Sequence, residues 1–208
     1  ETTPPGQFVQ LLRRVREHTR IDFSGYKEAT LTRRLARRMA LSDCTDLAGY
    51  LAYTEANPSE LTELAQELLI SVTAFFRDPA AFEALAEALG GLLAQKETGA
   101  EIRIWVPGCA TGEEAYSIAI LVAEVLGDAS ERHNIQIFAT DIDDGGLAAL
   151  RAGVYDASAL NDLPEHLPER YFIPRDGQYE VLPQLRDMLV IARQDLVSDP
   201  PFSRLDLI

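Results

Sequence analysis

IRIWVPGCATGEEAYS, residues 102–117, decides the fold of this 208-residue chain. Ile102 to Val106 reads as a short strand. Pro107 to Gly112 is a turn with glycine at positions 108 and 112. Glycine there lets the backbone bend tightly and lets a ligand approach closely. Glu113 to Leu126 then reads as a helix. The turn is not a phosphate-binding loop, because no Gly-Lys-Ser/Thr follows, and it is not a GxGxxG. Two acids, Glu113 and Glu114, open the helix where a bound phosphate would want positive potential. An anionic ligand is therefore disfavoured, and a cationic or hydroxyl-rich one is favoured. A capped helix with acids in its first turn is the alternative reading.

Working outward, Ile135 to Thr140 is a second strand, ending in Asp141-Ile142-Asp143. A helix over about 144–151 follows. This β-α-β-α order predicts a parallel sheet with crossover helices. An acid at the end of the second strand is placed to accept hydrogen bonds from ribose hydroxyls. A helix N-cap is the competing role for Asp141, since Asp143 and Asp144 are adjacent. Further on, 178–182 and 185–193 read as an antiparallel pair around Pro183. Arg204 to Ile208 reads as one more strand.

The N-terminal side is different. Phe8, Leu11, Leu12 and Val15 follow helical spacing, as do Leu31, Leu35 and Met39. Leu47, Tyr50 and Leu51 suggest a third helix, and Pro58-Ser59-Glu60 opens a fourth running to about Ile70. Asp78-Pro79 is an N-cap with proline at the first helical position, for a helix running to about Leu89, where Gly90-Gly91 stops or weakens it. The expected fold class is α/β. A helical domain over 1–78 precedes a partial doubly wound, Rossmann-like domain over 79–208, with an antiparallel β-subdomain at about 170–194.

Composition narrows the function. Nineteen Lys/Arg against thirty-three Asp/Glu give a net charge of −14, which argues against a general nucleic-acid binder. The charge is uneven: residues 1–40 carry nine basic and four acidic residues, a net of +5, and the remainder carries −19. The N-terminal part is thus suited to an acidic partner. Arg33, Arg34, Arg37 and Arg38 form the centre of this basic region. No aromatic residue interleaves them, which disfavours an RNA or DNA patch. Two cysteines, Cys44 and Cys109, imply no disulfide framework and a cytoplasmic location. No apolar run is long enough to cross a membrane, and the first residues show no signal-peptide pattern. The three histidines lack ligand spacing, so no metal is expected.

A glycine turn without a pyrophosphate signature, joined to a ribose-type acid, points to a nucleoside. S-adenosylmethionine, with its cationic sulfonium, has that chemistry. Four blocks in order carry a family resemblance: YKEATLTRRLARR (26–38), SVTAFFRDP (71–79), WVPGCATGEEAYS (105–117) and ATDID (139–143). Together they make the chain similar to the CheR-type chemotaxis receptor methyltransferases. The resemblance implies transfer of a methyl group from S-adenosylmethionine to glutamates on cytoplasmic chemoreceptor helices, leaving S-adenosylhomocysteine. It places Thr73 and Arg77 at cofactor contacts, with Ser71 where relatives can carry Asn. Gly108 lies in the cofactor turn. Glu114 falls near the methionine part, Asp141 at the ribose, Ile142 beside the adenine, and Asp195 and Leu196 at the adenine end. Arg77 is expected to position the reacting carboxylate, and Arg33, Arg34, Arg37 and Arg38 to face the receptor.

Two departures from the family are expected. Its Cys-Arg-Asn-type segment beyond the last strand is absent, so the chain reads as C-terminally truncated. The stretch from Phe172 to Asp195 is shorter than in relatives that hold a receptor's C-terminal pentapeptide, which predicts independence from that tether. A non-catalytic S-adenosylmethionine- or S-adenosylhomocysteine-binding module of a larger signalling protein is the alternative reading. A helical interaction domain with an α/β scaffold is a third.

Overall fold

The computed structural model describes the chain except residues 1–4, 70, 98, 128–132 and 162. It divides into two units, Glu1–Ile70 and Ser71–Ile208. The segment from Ser71 to Asp78 therefore belongs to the second unit.

The first unit is helical. Its helices are α1 (Pro5–Thr19), α2 (Glu28–Leu41), α3 (Leu47–Ala56) and α4 (Ser59–Leu68). Phe8, Leu11 and Val15 of α1, Leu31 and Leu35 of α2, and Leu61, Leu64 and Leu68 of α4 are buried. These are the residues that helical spacing puts on one face. The side chain of Asp46 caps α3 by accepting from the Gly49 N–H at 2.7 Å, satisfying one orphan donor of the first turn. The expected end of α4 near Ile70 lies outside the described residues, beyond its close at Leu68.

The second unit opens with α5 (Pro79–Leu93), capped as expected by Asp78, which accepts from the Ala81 N–H at 3.3 Å. The helix continues through Gly90-Gly91 rather than stopping. Leu89 and Leu93, one turn apart, are both buried, and their burial outweighs the helix penalty of the glycines, about 1 kcal/mol each.

The main sheet has the order β1-β2-β6, formed by β1 (Glu101–Pro107), β2 (Asn134–Asp141) and β6 (Leu189–Arg193), all parallel. Leu207 makes an isolated parallel bridge to Ile104 on the other edge of β1, which is what remains of the expected strand at 204–208. Helix α6 (Glu113–Leu126) follows β1, and α7 (Asp144–Ala152) follows β2. Ile102, Ile104, Ile120, Ile137, Leu147 and Leu150 form the solvent-free centre of this core.

A second sheet has the order β3-β5-β4, antiparallel, from β3 (Val154–Asp156), β4 (Phe172–Arg175) and β5 (Gln178–Val181). Helix α8 (His166–Tyr171) leads into β4, and α9 (Pro183–Arg186) leaves β5. This corrects the expected pairing of 178–182 with 185–193. Pro183 has no N–H to extend a ladder and sits at the first position of α9. That turn ends the small sheet and delivers Leu189–Arg193 to the open edge of β2. The β-subdomain accordingly recruits Val154–Asp156 and loses 189–193.

Candidate functional site

All three strands of a parallel sheet present their carboxyl ends to one edge, and in open α/β sheets that edge is where ligands bind. Here it is drawn together by backbone and side-chain hydrogen bonds. The Cys109 N–H donates to the Thr140 carbonyl at 3.0 Å, which joins the first turn to β2. The Gln194 N–H donates to the Asp141 carbonyl at 2.9 Å, which joins the end of β6 to β2.

Asp141 is the centre of this edge. Its Oδ2 accepts from the Ala110 N–H at 2.7 Å and its Oδ1 from the Asp143 N–H at 2.9 Å. The capping role that competed for Asp141 falls to Asp143, whose Oδ1 accepts from the Gly145 N–H at the start of α7. Asp141 is therefore held in place by two backbone donors. Each carboxylate oxygen accepts more than one hydrogen bond, so the half-buried group keeps capacity toward the edge. Ile142 is half-buried beside it.

The turn is shaped by backbone strain and close packing. Gly108 has φ +69° and nothing within 4 Å of where a Cβ would stand, so its face is open. Ala110 has φ +46°, an uncommon conformation for a residue with a side chain. Gly112 has φ +100°, and a Cβ there would overlap the Leu150 side chain of α7. Gly146 of α7 comes so near that its Cβ would stand 2.7 Å from the Ala110 carbonyl oxygen. Helix α7 thus presses against the turn through two glycines. Beyond the turn, the Thr111 hydroxyl donates to Glu113 at 2.6 Å, while Glu114 is exposed.

The segment from Ser71 to Asp78 reaches this edge at its beginning. The Ser71 hydroxyl donates to Asp143 Oδ2 at 3.0 Å. The Phe76 N–H donates to the Ser117 hydroxyl on α6 at 2.9 Å, and that hydroxyl donates to the Glu113 carbonyl. Thr73 is half-buried between these anchors. Arg77 donates to the Val72 carbonyl at 2.9 Å and lines an apolar groove between α5, α6 and α8. The strand edge thus gathers Ser71, Gly108, Asp141, Ile142 and Asp195. Arg77 closes its own segment through its bond to Val72.

Past β6, Gln194 is 7% exposed, and its Oε1 is buried without a partner among the described residues. Asp195 Oδ1 accepts from the Val197 N–H, its own N–H donates to Asp199, and Leu196 is exposed. The open Gly108 face, the anchored Asp141 and the orphaned Gln194 acceptor fit a hydroxyl-rich ligand, and Arg193, in register with Asp141 at the end of β6, lies 3.7 Å from Asp144. Cys109 is 1% exposed. Burial, and after it the charge of Asp141, pushes its thiol up to about 12, so it packs and does not act as a nucleophile. Sequence reasoning missed Ala110; it met Asp143 only as a neighbour of Asp141 and Gln194 only as part of the segment at the adenine end. The repeated acids of 141–144 signalled Asp143, but nothing local signals the positive φ of Ala110.

The basic cluster on α2 is divided. Arg38 grips Glu60 of α4 with two hydrogen bonds, 3.0 and 2.7 Å. Arg34 donates to the Glu67 carbonyl at 2.7 Å and is half-buried. Both are taken up in holding α2 against α4, which corrects the expectation that all four face a partner. Arg33 and Arg37 are exposed, Arg37 lying 3.4 Å from Glu67. Burial by itself would raise the Glu60 carboxyl. The hydrogen bonds from Arg38 and Tyr50 outweigh that and hold it below its ordinary range.

The fold defines a class: an all-helical unit followed by an α/β domain with a parallel sheet and a small antiparallel one. The family model described as CheR methyltransferase, SAM binding domain, matches residues 71–208, and that described as CheR methyltransferase, all-alpha domain, matches residues 6–69. The chain belongs to the CheR methyltransferase family. It is 34% identical to the chemotaxis protein methyltransferase of Salmonella typhimurium over 97% of its length, covering 65% of that protein. It is 32% identical to chemotaxis protein methyltransferase 2 of Pseudomonas aeruginosa over 91% of its length, covering 68% of it. An uncharacterized 104.1 kDa protein of Rhodobacter capsulatus is 41% identical over 98% of the chain, which covers 21% of that protein. The chain therefore spans from a fifth to about two thirds of these relatives. No described helix is long and apolar enough to cross a membrane.

Proposed function

We propose that this chain is the receptor-facing and cofactor-binding part of a protein-glutamate O-methyltransferase acting on chemoreceptors. The observation that carries the reading is Asp141, fixed at the carboxyl edge by two backbone N–H groups beside an open glycine turn. Asp141 accepts from the ribose hydroxyls, Ile142 and Leu196 flank the base, and Asp195 supplies an acceptor at its far end. Gly108 admits the ligand against bare backbone. Glu114 faces the ammonium of the methionine part, with Ser71 and Thr73 on the segment that borders it. The family's methyltransferase and SAM-binding descriptions, with relatives named chemotaxis protein methyltransferase, support this assignment.

S-adenosylmethionine, when bound, supplies an activated methyl group and leaves as S-adenosylhomocysteine. The acceptor glutamate has an ordinary pKa near 4.3, so it is ionised at pH 7 and needs no general base. What the chain must supply is alignment, which is worth roughly 7–11 kcal/mol in well-oriented systems. Arg77 is suited to hold the acceptor carboxylate, because its guanidinium stays charged and its fork matches a carboxylate. Arg33 and Arg37 meet the acidic receptor helix and govern association rather than chemistry. The short stretch from Phe172 to Asp195 fits a partner held without a pentapeptide tether.

Calorimetric titration with S-adenosylhomocysteine tests the site. Micromolar binding that weakens in Asp141→Ala is expected. A folded chain that binds nothing overturns the reading. Binding without methyl ester formation on receptor glutamates turns it into a sensing module.

A further inference from the structure

The small antiparallel sheet contributes no strand to the carboxyl edge, yet one of its side chains reaches the glycine turn. Tyr155, in the middle of β3, pairs with Tyr179 of β5 and is buried. Its hydroxyl donates to the Thr111 carbonyl at 2.8 Å, across forty-four residues of chain. Edge-on contacts hold the ring, with Phe75 at 4.9 Å and with Tyr116 at 6.1 Å between centroids. A ring locked by packing delivers its hydroxyl to one position.

The bond falls where the turn needs one. The ladder of α6 begins at Gly112, whose carbonyl accepts from the Tyr116 N–H at 2.9 Å. The Thr111 carbonyl, one residue earlier, needs a partner from outside the helix. Thr111 lies between two left-handed residues, Ala110 with φ +46° and Gly112 with φ +100°. A residue with a side chain keeps that conformation only where its surroundings over-determine it. Three bonds do so here. The Gly112 N–H donates to the Cys109 carbonyl at 2.9 Å and closes the turn. The Ala110 N–H donates to Asp141 at 2.7 Å. The Tyr155 hydroxyl holds the peptide group between Thr111 and Gly112. The second of these bonds is one of the two that fix Asp141, so whatever sets the turn also sets the acid.

We propose that Tyr155 is a positioning residue for the cofactor. Acting through Thr111 and Ala110, it sets the place of Asp141 without touching the ligand itself. This rests on the assignment of Asp141 to the ribose hydroxyls. It gives the small sheet a part in cofactor binding, separate from any contact with a receptor.

The test titrates S-adenosylhomocysteine into the 208-residue chain by calorimetry, with thermal unfolding measured in parallel. Tyr155→Phe removes the hydroxyl and keeps the ring. It should weaken binding about tenfold, the value of one hydrogen bond. Tyr116→Phe is the matched control, because that buried hydroxyl donates to the Leu150 carbonyl at 2.9 Å, outside the turn. It should lower the unfolding midpoint by a similar amount and leave the affinity unchanged. With Asp141→Ala already present, Tyr155→Phe should cost less than about threefold, since residues that act through one another are not additive. Wild-type affinity in Tyr155→Phe, equal losses in the two tyrosine variants, or full additivity with Asp141→Ala overturns the proposal and makes Tyr155 a core residue only. Wild-type affinity in Asp141→Ala removes the ribose assignment and this proposal with it. If Tyr155→Phe does not fold, hydrogen exchange of the wild-type chain decides. S-adenosylhomocysteine should slow exchange in the β3–β5 ladder around Tyr155, and exchange there that ignores the ligand overturns the proposal.

Discussion

Glu60 in the first unit and Asp141 in the second are both carboxylates held by hydrogen bonds, yet their surroundings differ. Glu60 is 6% exposed and closed in by Arg38, by the Tyr50 hydroxyl at 2.6 Å and by Ser42. Its partners are side chains from α2, from α3 and from the turn between them, so it clamps three helices. Asp141 takes its bonds from backbone N–H groups at the end of a strand and stays half-exposed. A carboxylate satisfied on all sides stabilises. One anchored from behind keeps acceptor capacity on its open side. The local donors decide which of these a given acid becomes.

That contrast can be broken most forcefully at Glu60. Glu60→Ala leaves Arg38 and the Tyr50 hydroxyl without their partner and should cost about 3–5 kcal/mol, the usual penalty for halving a buried pair. Urea unfolding measures it, and a loss below 1 kcal/mol would make the clamp dispensable. Gly112→Ala is next, at about 2–4 kcal/mol, because it adds a left-handed residue and a clash with Leu150. A wild-type midpoint in thermal unfolding would show that α7 does not need the close approach.

Asp141→Ala should weaken S-adenosylhomocysteine binding by roughly tenfold to a hundredfold, the value of losing charged hydrogen bonds. Calorimetry reads the change, and Asp141→Asn should fall between it and wild type. If the unfolding midpoint falls while affinity stays, Asp141 belongs with Glu60 as a structural acid.

Acid sharpens the comparison further. The Glu60 carboxyl is held below its ordinary value in the folded chain. Its contribution is therefore complete above the unfolded value, near 4.3, and is lost as pH falls through the lower folded value. Glu60→Gln should flatten the loss of stability that sets in below about pH 4. An unchanged acid limb would assign that loss to other groups, such as Asp206. Burial raises that carboxyl, but the Lys96 ion pair and the Arg103 N–H lower it on balance. The smallest effect on stability belongs to Arg33→Glu with Arg37→Glu, within about 0.5 kcal/mol for exposed sites. These changes should raise KM for receptor and leave cofactor affinity unchanged. If cofactor affinity falls too, α2 has a structural role there.

The sequence by itself determined what is written within about ten residues. Phe8, Leu11 and Val15 declare a helix by spacing. Asp78-Pro79 declares a helix start. Residues 102–117 declare a strand, a turn and a helix, and Asp141 declares an acid at the next strand's end. Such signals are local because hydrophobic period, capping and turn chemistry act between near neighbours. Tertiary structure decided the rest. It gave 189–193 to the parallel sheet and 154–156 to the small one, since a strand's partner is chosen by burial against distant residues. It turned Arg34 and Arg38 inward and left Arg33 and Arg37 outside, although all four look alike in sequence. It assigned the helix cap to Asp143 and freed Asp141 for the edge, because the Ala110 N–H, thirty-one residues away along the chain, is brought within reach only when the two strand ends lie side by side.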